Sequence, residues 1–106
     1  IPLDDNTDDE LYLNILKKTL PVLINKVKPK FIFYLSGVDI MKSDKLGRLS
    51  LSLEGCKERD KIVFSNCKKN DIPVQCSMGG GYSRDIDLIV DAHFNTFKTA
   101  KKIFIN

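Results

Sequence analysis

Apolar residues at Leu11, Ile15, Leu16, Leu20, Leu23, Ile24 and Val27 recur every three or four positions, the spacing of one helical face. Thr7 or Asp8 can cap such a helix, and Asp9 and Glu10 fall in a first turn where negative charge is favoured. Pro21 has no N–H to close onto residue 17, which predicts a kink or a restart, and Pro29 ends the segment. The next run, FIFYL from Phe31 to Leu35, is apolar without alternation and predicts a central strand buried on both faces. A long aperiodic loop, SGVDIMKSDKLGRLSLS, leads to Ser52, a plausible cap for a helix over 53–69 presenting Leu53, Cys56, Ile62, Val63 and Cys67. Ile72 to Met78 reads as a second buried strand, with Pro73 near its start. After three glycines, a last helix from about Asp85 carries Ile86, Ile89, Val90, Phe94, Phe97 and Ala100 on one side.

The order helix, strand, helix, strand, helix predicts an α/β layer sandwich with a parallel sheet and right-handed crossovers. Two strands are few for such a sheet, so residues 1–106 read as a piece of a larger α/β domain, one that can associate through exposed sheet edges. Composition changes this picture little. The 106 residues are 42% hydrophobic and 29% charged, and no apolar run is long enough to span a membrane. A net charge of +3 comes from lysines placed near helix ends, without interleaved aromatic residues, so nucleic acid is not an expected partner. Cys56, Cys67 and Cys76 are an odd number without a CxxC pair; they read as small buried hydrophobes of a protein in a reducing, cytoplasmic compartment.

In open α/β sheets ligands lie beyond the carboxyl ends of the strands. The first strand delivers Ser36, Gly37, Val38 and Asp39 there, and the second delivers Met78, Gly79, Gly80, Gly81 and Tyr82. If the strands are neighbours, Asp39 and Tyr82 share one rim. Asp39 is then either a hard oxygen ligand for a metal or a loop aspartate capping local N–H groups. Tyr82 is either a hydroxyl placed to stabilise a developing oxyanion or a plug in the rim of the core. The glycines before it suit positive φ, a close backbone approach or a flexible joint. Asp44 reads as a pin for its loop, and Asp60 as a partner for the basic residues around Arg59. Phosphate-loop, GxGxxG, HExxH and GxSxG patterns are all missing, and the single histidine, His93, lies mid-helix and reads as structural.

Three stretches, IPLDDNTDDELYL, YLSGVDIMKSDKLGRLSLSLEGCKERD and GGGYSRDIDLIVDAHFNT, resemble in order the C-terminal portion of zinc-dependent histone deacetylase-like proteins, closest to the class IV branch. The resemblance implies the three-layer α/β/α arginase–deacetylase sandwich. It implies that Asp39 is a ligand of a catalytic Zn2+ and that Tyr82 polarises the acetyl carbonyl of an acetylated amine. By the same comparison Leu46, Gly80 and Gly81 line the substrate channel, while Gly37, Asp44 and Gly47 shape the loop around the ligand. The family's other zinc ligands, an aspartate and a histidine, and its paired histidines belong to an upstream segment. The fragment alone is therefore expected to be inactive, with the N-terminal part of the same domain, or another copy, as its partner. Arginase-like amidinohydrolases, the sister branch, carry a second carboxylate where this chain reads Asp39-Ile40-Met41, and a thioether does not replace a hard oxygen ligand. The alternative to an enzyme is a non-catalytic module that associates through its sheet edges.

Overall fold

The computed structural model describes residues 1–105. Helix α1 spans Asp9–Val27, strand β1 Ile32–Leu35, helix α2 Leu53–Lys69, strand β2 Val74–Ser77 and helix α3 Ile86–Phe104. Each helix begins on a side-chain cap that takes up one of its free N–H groups. Asp8 accepts from Leu11 N–H at 3.0 Å, Ser52 from Gly55 N–H at 2.9 Å, and Asp85 from Leu88 N–H at 3.1 Å. Helix α1 closes on Lys28 in the left-handed region, with its N–H on the Ile24 carbonyl, just before Pro29. The helix runs unbroken through Pro21, against the expected interruption. Both Pro21 and Lys17 are exposed, so the carbonyl that loses its N–H partner can be satisfied by water.

Strands β1 and β2 pair in parallel, Ile32 opposite Val74 through Leu35 opposite Ser77. The ladder continues past the strands: Ser36 N–H donates to Ser77 O at 2.9 Å and Val38 N–H to Gly79 O at 3.0 Å. Helix α2 is the hub and packs on both α1 and α3. Although rich in charge, it buries Cys56, Arg59, Asp60, Ile62, Val63, Phe64 and Cys67. Phe64 meets Tyr34 of β1 edge-on, with centroids 5.6 Å apart, and Phe104 of α3 at 5.9 Å. Beside it, Val38, Met41, Cys56 and Ala92 form a core against which Ile40, Leu53, Leu88 and Ile89 pack. The long loop is pinned at its far end by the N-terminal segment, through Asn6 N–H to Arg48 O and Ser50 N–H to Thr7 O.

Further expectations change. Strand β1 is covered on one face only: Phe33 and Leu35 are 77% and 80% exposed. The molecule measures 38 × 30 × 19 Å, and its short dimension is that of one helix layer on one sheet. Strand β2 likewise is half-buried, with only Ile72 buried before it. On α3 the buried line is Ala92 and Thr96, while Ile86, Val90, Phe94 and Phe97 stay exposed. Cys56 and Cys67 are buried and Cys76 is half-buried; all three are free thiols, and burial pushes the Cys56 thiol up to about 11. No helix among the described residues is long and apolar enough to cross a membrane.

Candidate active site at the strand ends

Because the ladder runs on to Val38 and Gly79, the two loops leave the sheet side by side. Asp39 then sits in a cradle of glycines. A Cβ on Gly80 would lie 2.7 Å from the Asp39 nitrogen and 2.8 Å from its Cβ, and one on Gly47 would lie 1.8 Å from its carbonyl oxygen. A Cβ on Gly37 would come within 2.6 Å of the Asp39 carboxylate. Gly80 also holds φ at +70°, which side chains adopt only with strain. The triplet before Tyr82 is thus a close-approach turn. Asp39 itself is exposed, and its carboxylate makes no hydrogen bond among the described residues.

Asp44 fastens the two loops. One of its oxygens accepts from Tyr82 N–H at 2.9 Å; the other accepts from Leu46 N–H at 3.0 Å and Gly47 N–H at 2.8 Å. Lys45 N–H returns a bond to the Tyr82 carbonyl at 3.3 Å. Burial works to raise the Asp44 pKa, but the bonds from Gly47, Tyr82, Leu46 and Gly81 outweigh it and hold the carboxyl below its ordinary value. Leu46 and Tyr82, flanking this knot, are 70% and 55% exposed. The backbones of Asp39, Leu46, Gly80 and Tyr82 therefore converge on one rim.

A cleft of about 310 Å3 opens beside Asp39, lined by Tyr12, Tyr34, Gly37, Arg59, Gly79 and Gly80 among others. Tyr82, Leu46 and His93 are not among its lining residues. Three larger hollows, about 380, 430 and 340 Å3, lie at the start of α1 among acidic side chains, at the end of α3 among lysines, and between α2 and α3. The floor of the cleft was not legible in the sequence. Asp60 does pair with Arg59 as expected, but both are buried, at 0% and 3% exposure. Arg59 donates to Asp60 through Nε at 3.0 Å and Nη2 at 2.8 Å, and its guanidinium lies over the Tyr34 ring at 5.6 Å. Tyr34 O–H and Thr96 O–H complete the shell of Asp60, each at 2.5 Å. Burial discourages the Arg59 charge, yet the Asp60 carboxylate that accepts its hydrogen bonds helps hold its pKa above the usual value. Burial also raises the pKa of the Tyr34 phenol.

A parallel α/β layer with its polar groups beyond the strand ends has the architecture in which open-sheet enzymes place their sites. Similarity to known sequences narrows that class. Residues 1–97 match the histone deacetylase domain, and the chain belongs to that family. It is 36% identical over 102 residues to an uncharacterized protein of Picosynechococcus sp., covering 96% of this chain and 34% of that one. Histone deacetylase 2 of Arabidopsis thaliana is 34% identical over 82 residues, 77% of this chain and 21% of its own length. Histone deacetylase B of Dictyostelium discoideum is 34% identical over 83 residues, 78% and 19% respectively. The chain thus spans about a third of the first relative and about a fifth of the other two. The element order and parallel sheet agree with the arginase–deacetylase sandwich.

Among the described residues no three histidine, cysteine, aspartate or glutamate side chains are grouped to hold a metal ion. Asp39 fits the part of one ligand: a hard oxygen donor, open to the cleft, on a backbone fixed by glycines. The rest of a ligand set is not found beside it.

Proposed function

We propose that this chain is the C-terminal part of a zinc-dependent deacetylase of the class IV-like branch, acting on acetyl-lysine or a related acetylated amine. The supporting observation is the joint between the loops, where Gly80 packs on Asp39 while Asp44 holds the Tyr82 backbone. In this reading Asp39 is one ligand of a catalytic zinc, and an upstream segment of the same domain supplies the others. A bound zinc ion would supply Lewis-acid polarisation of the amide carbonyl. Tyr82 donates its O–H to the carbonyl oxygen as negative charge develops there, so its effect is largest in the transition state. Leu46, Gly80 and Gly81 border the path of the acyl-amine chain. In this reading the histidine that protonates the leaving amine also comes from the upstream segment.

The test uses the full-length protein carrying this segment, with an acetyl-lysine peptide and metal analysis. Tyr82→Phe is expected to keep its zinc and lose about 10²–10³-fold in kcat, the scale of a lost oxyanion donor. Asp39→Asn is expected to lose the zinc itself. A Tyr82→Phe protein as active as the wild type would defeat the reading. A second reading, a non-catalytic module joined through its sheet edges, is favoured by a sheet of two strands, in which each strand leaves one edge unpaired among the described residues. It predicts self-association of the 106-residue chain on size exclusion and no zinc dependence of any longer form.

A further inference from the structure

We propose that the buried Arg59–Asp60 pair is the positioning device of the cleft: Arg59 clamps the Gly37 carbonyl and thereby fixes the loop that carries Asp39. The inference rests on the reading of Asp39 as a metal ligand and adds the residues that hold it in place.

Ser36 and Val38 send their N–H groups to β2, so the parallel ladder uses the residues on either side of Gly37 and leaves its carbonyl outside. Among the described residues no backbone N–H reaches that carbonyl. Arg59 Nη1 does, at 2.5 Å. The other two donors that Arg59 uses, Nε and Nη2, are spent on one oxygen of Asp60. The guanidinium is planar and rigid, so fixing two of its nitrogens fixes the direction of the third.

Asp60 is in turn held from three elements. Tyr34 of β1 and Arg59 of α2 share its first oxygen, and Thr96 of α3 takes the second. The clamp on Gly37 is therefore referenced to β1, α2 and α3 together, two residues upstream of Asp39. Stability alone does not account for such a pair. Apolar side chains of similar volume commonly do as well or better in a buried position, because the ions give up their hydration. What the pair supplies that a Met–Leu replacement lacks is a directed N–H at the Gly37 carbonyl. Partners that orient a metal ligand through a second bond are worth about tenfold to a hundredfold in metal affinity or activity.

The experiment uses the full-length protein and zinc alone as the probe, measured by chelator competition, with thermal melting as the control for folding. Arg59→Met combined with Asp60→Leu removes both charges and keeps the volume; Arg59→Lys keeps the charge without the fork. Both are expected to weaken zinc binding by about tenfold to a hundredfold. Both should lower kcat with little change in KM. Should either fail to melt cooperatively, Tyr34→Phe with Thr96→Val releases Asp60 at nearly constant volume, and the same losses are expected. Folded variants that bind zinc as tightly as the wild type overturn the clamp. Asp39→Asn separates the two claims. If it leaves zinc affinity unchanged, the ligand reading fails and the clamp with it. If it abolishes binding while the pair variants do not weaken it, only the clamp fails.

Discussion

Helices α2 and α3 carry opposite messages in sequence and in space. The segment from Glu54 to Lys61 reads as solvated, since six of its eight residues are charged, yet Arg59 and Asp60 are among the most buried side chains of the molecule. Helix α3 has a clear apolar stripe, yet Ile86, Val90, Phe94 and Phe97 face outward while Ala92 and Thr96 are buried. The contrast has a physical basis. A charged pair can enter a core when every oxygen finds a donor, as Asp60 does from Tyr34, Arg59 and Thr96. An apolar stripe demands cover but does not say from where. The apolar faces of α3 and β1 are left uncovered by the described residues, and the relatives are about three to four times longer than this chain.

The largest effect that can break this contrast lies in α2. Asp60→Ala leaves Arg59 buried without its carboxylate and is expected to cost about 3–5 kcal/mol, read from chemical denaturation. A cost near zero would mean that Arg59 escapes to solvent and that the network is not structural. Next comes the rim. Gly80→Ala forces a side chain into positive φ against Asp39 and should cost about 1–3 kcal/mol. Full stability would show the turn to be a loose joint.

Asp44 gives a pH signature. Its pKa is depressed in the folded state, so the stability it contributes is present above the unfolded carboxyl value of about 3.9 and is lost as pH falls through the folded value. The gap in stability between wild type and Asp44→Asn should therefore be steady near neutrality and close in acid. A gap that stays constant down to full protonation would contradict the assignment. The smallest effect belongs to α3: Phe94→Ser should shift the stability of the 106-residue chain by no more than about 0.5 kcal/mol. In the full-length protein the same change should cost several times more, if that face is covered there.

How much was legible follows the range of the interaction. The caps at Asp8, Ser52 and Asp85 act over three residues, and periodicity with turn chemistry located all three helices. The meeting of Asp39 with the glycine turn followed from one topological step, two parallel strands as neighbours. The burial of Arg59 and Asp60 was illegible because Tyr34, Gly37 and Thr96 lie 22 to 36 residues away, and nothing in KERDK announces them. Pro21 misled for the opposite reason. Its local rule was sound, but the freed carbonyl lies where water can satisfy it. The single face left bare on β1 shows the same limit, since an all-apolar strand reports two covered faces whether or not the covering residues are in the chain.

The account is tested most directly by anomalous diffraction at the zinc edge from crystals of the full-length protein. It predicts one strong peak about 2.0–2.2 Å from a carboxylate oxygen of Asp39. The Tyr82 hydroxyl should face the same pocket. A zinc peak at other residues, with Asp39 left in solvent, would contradict it.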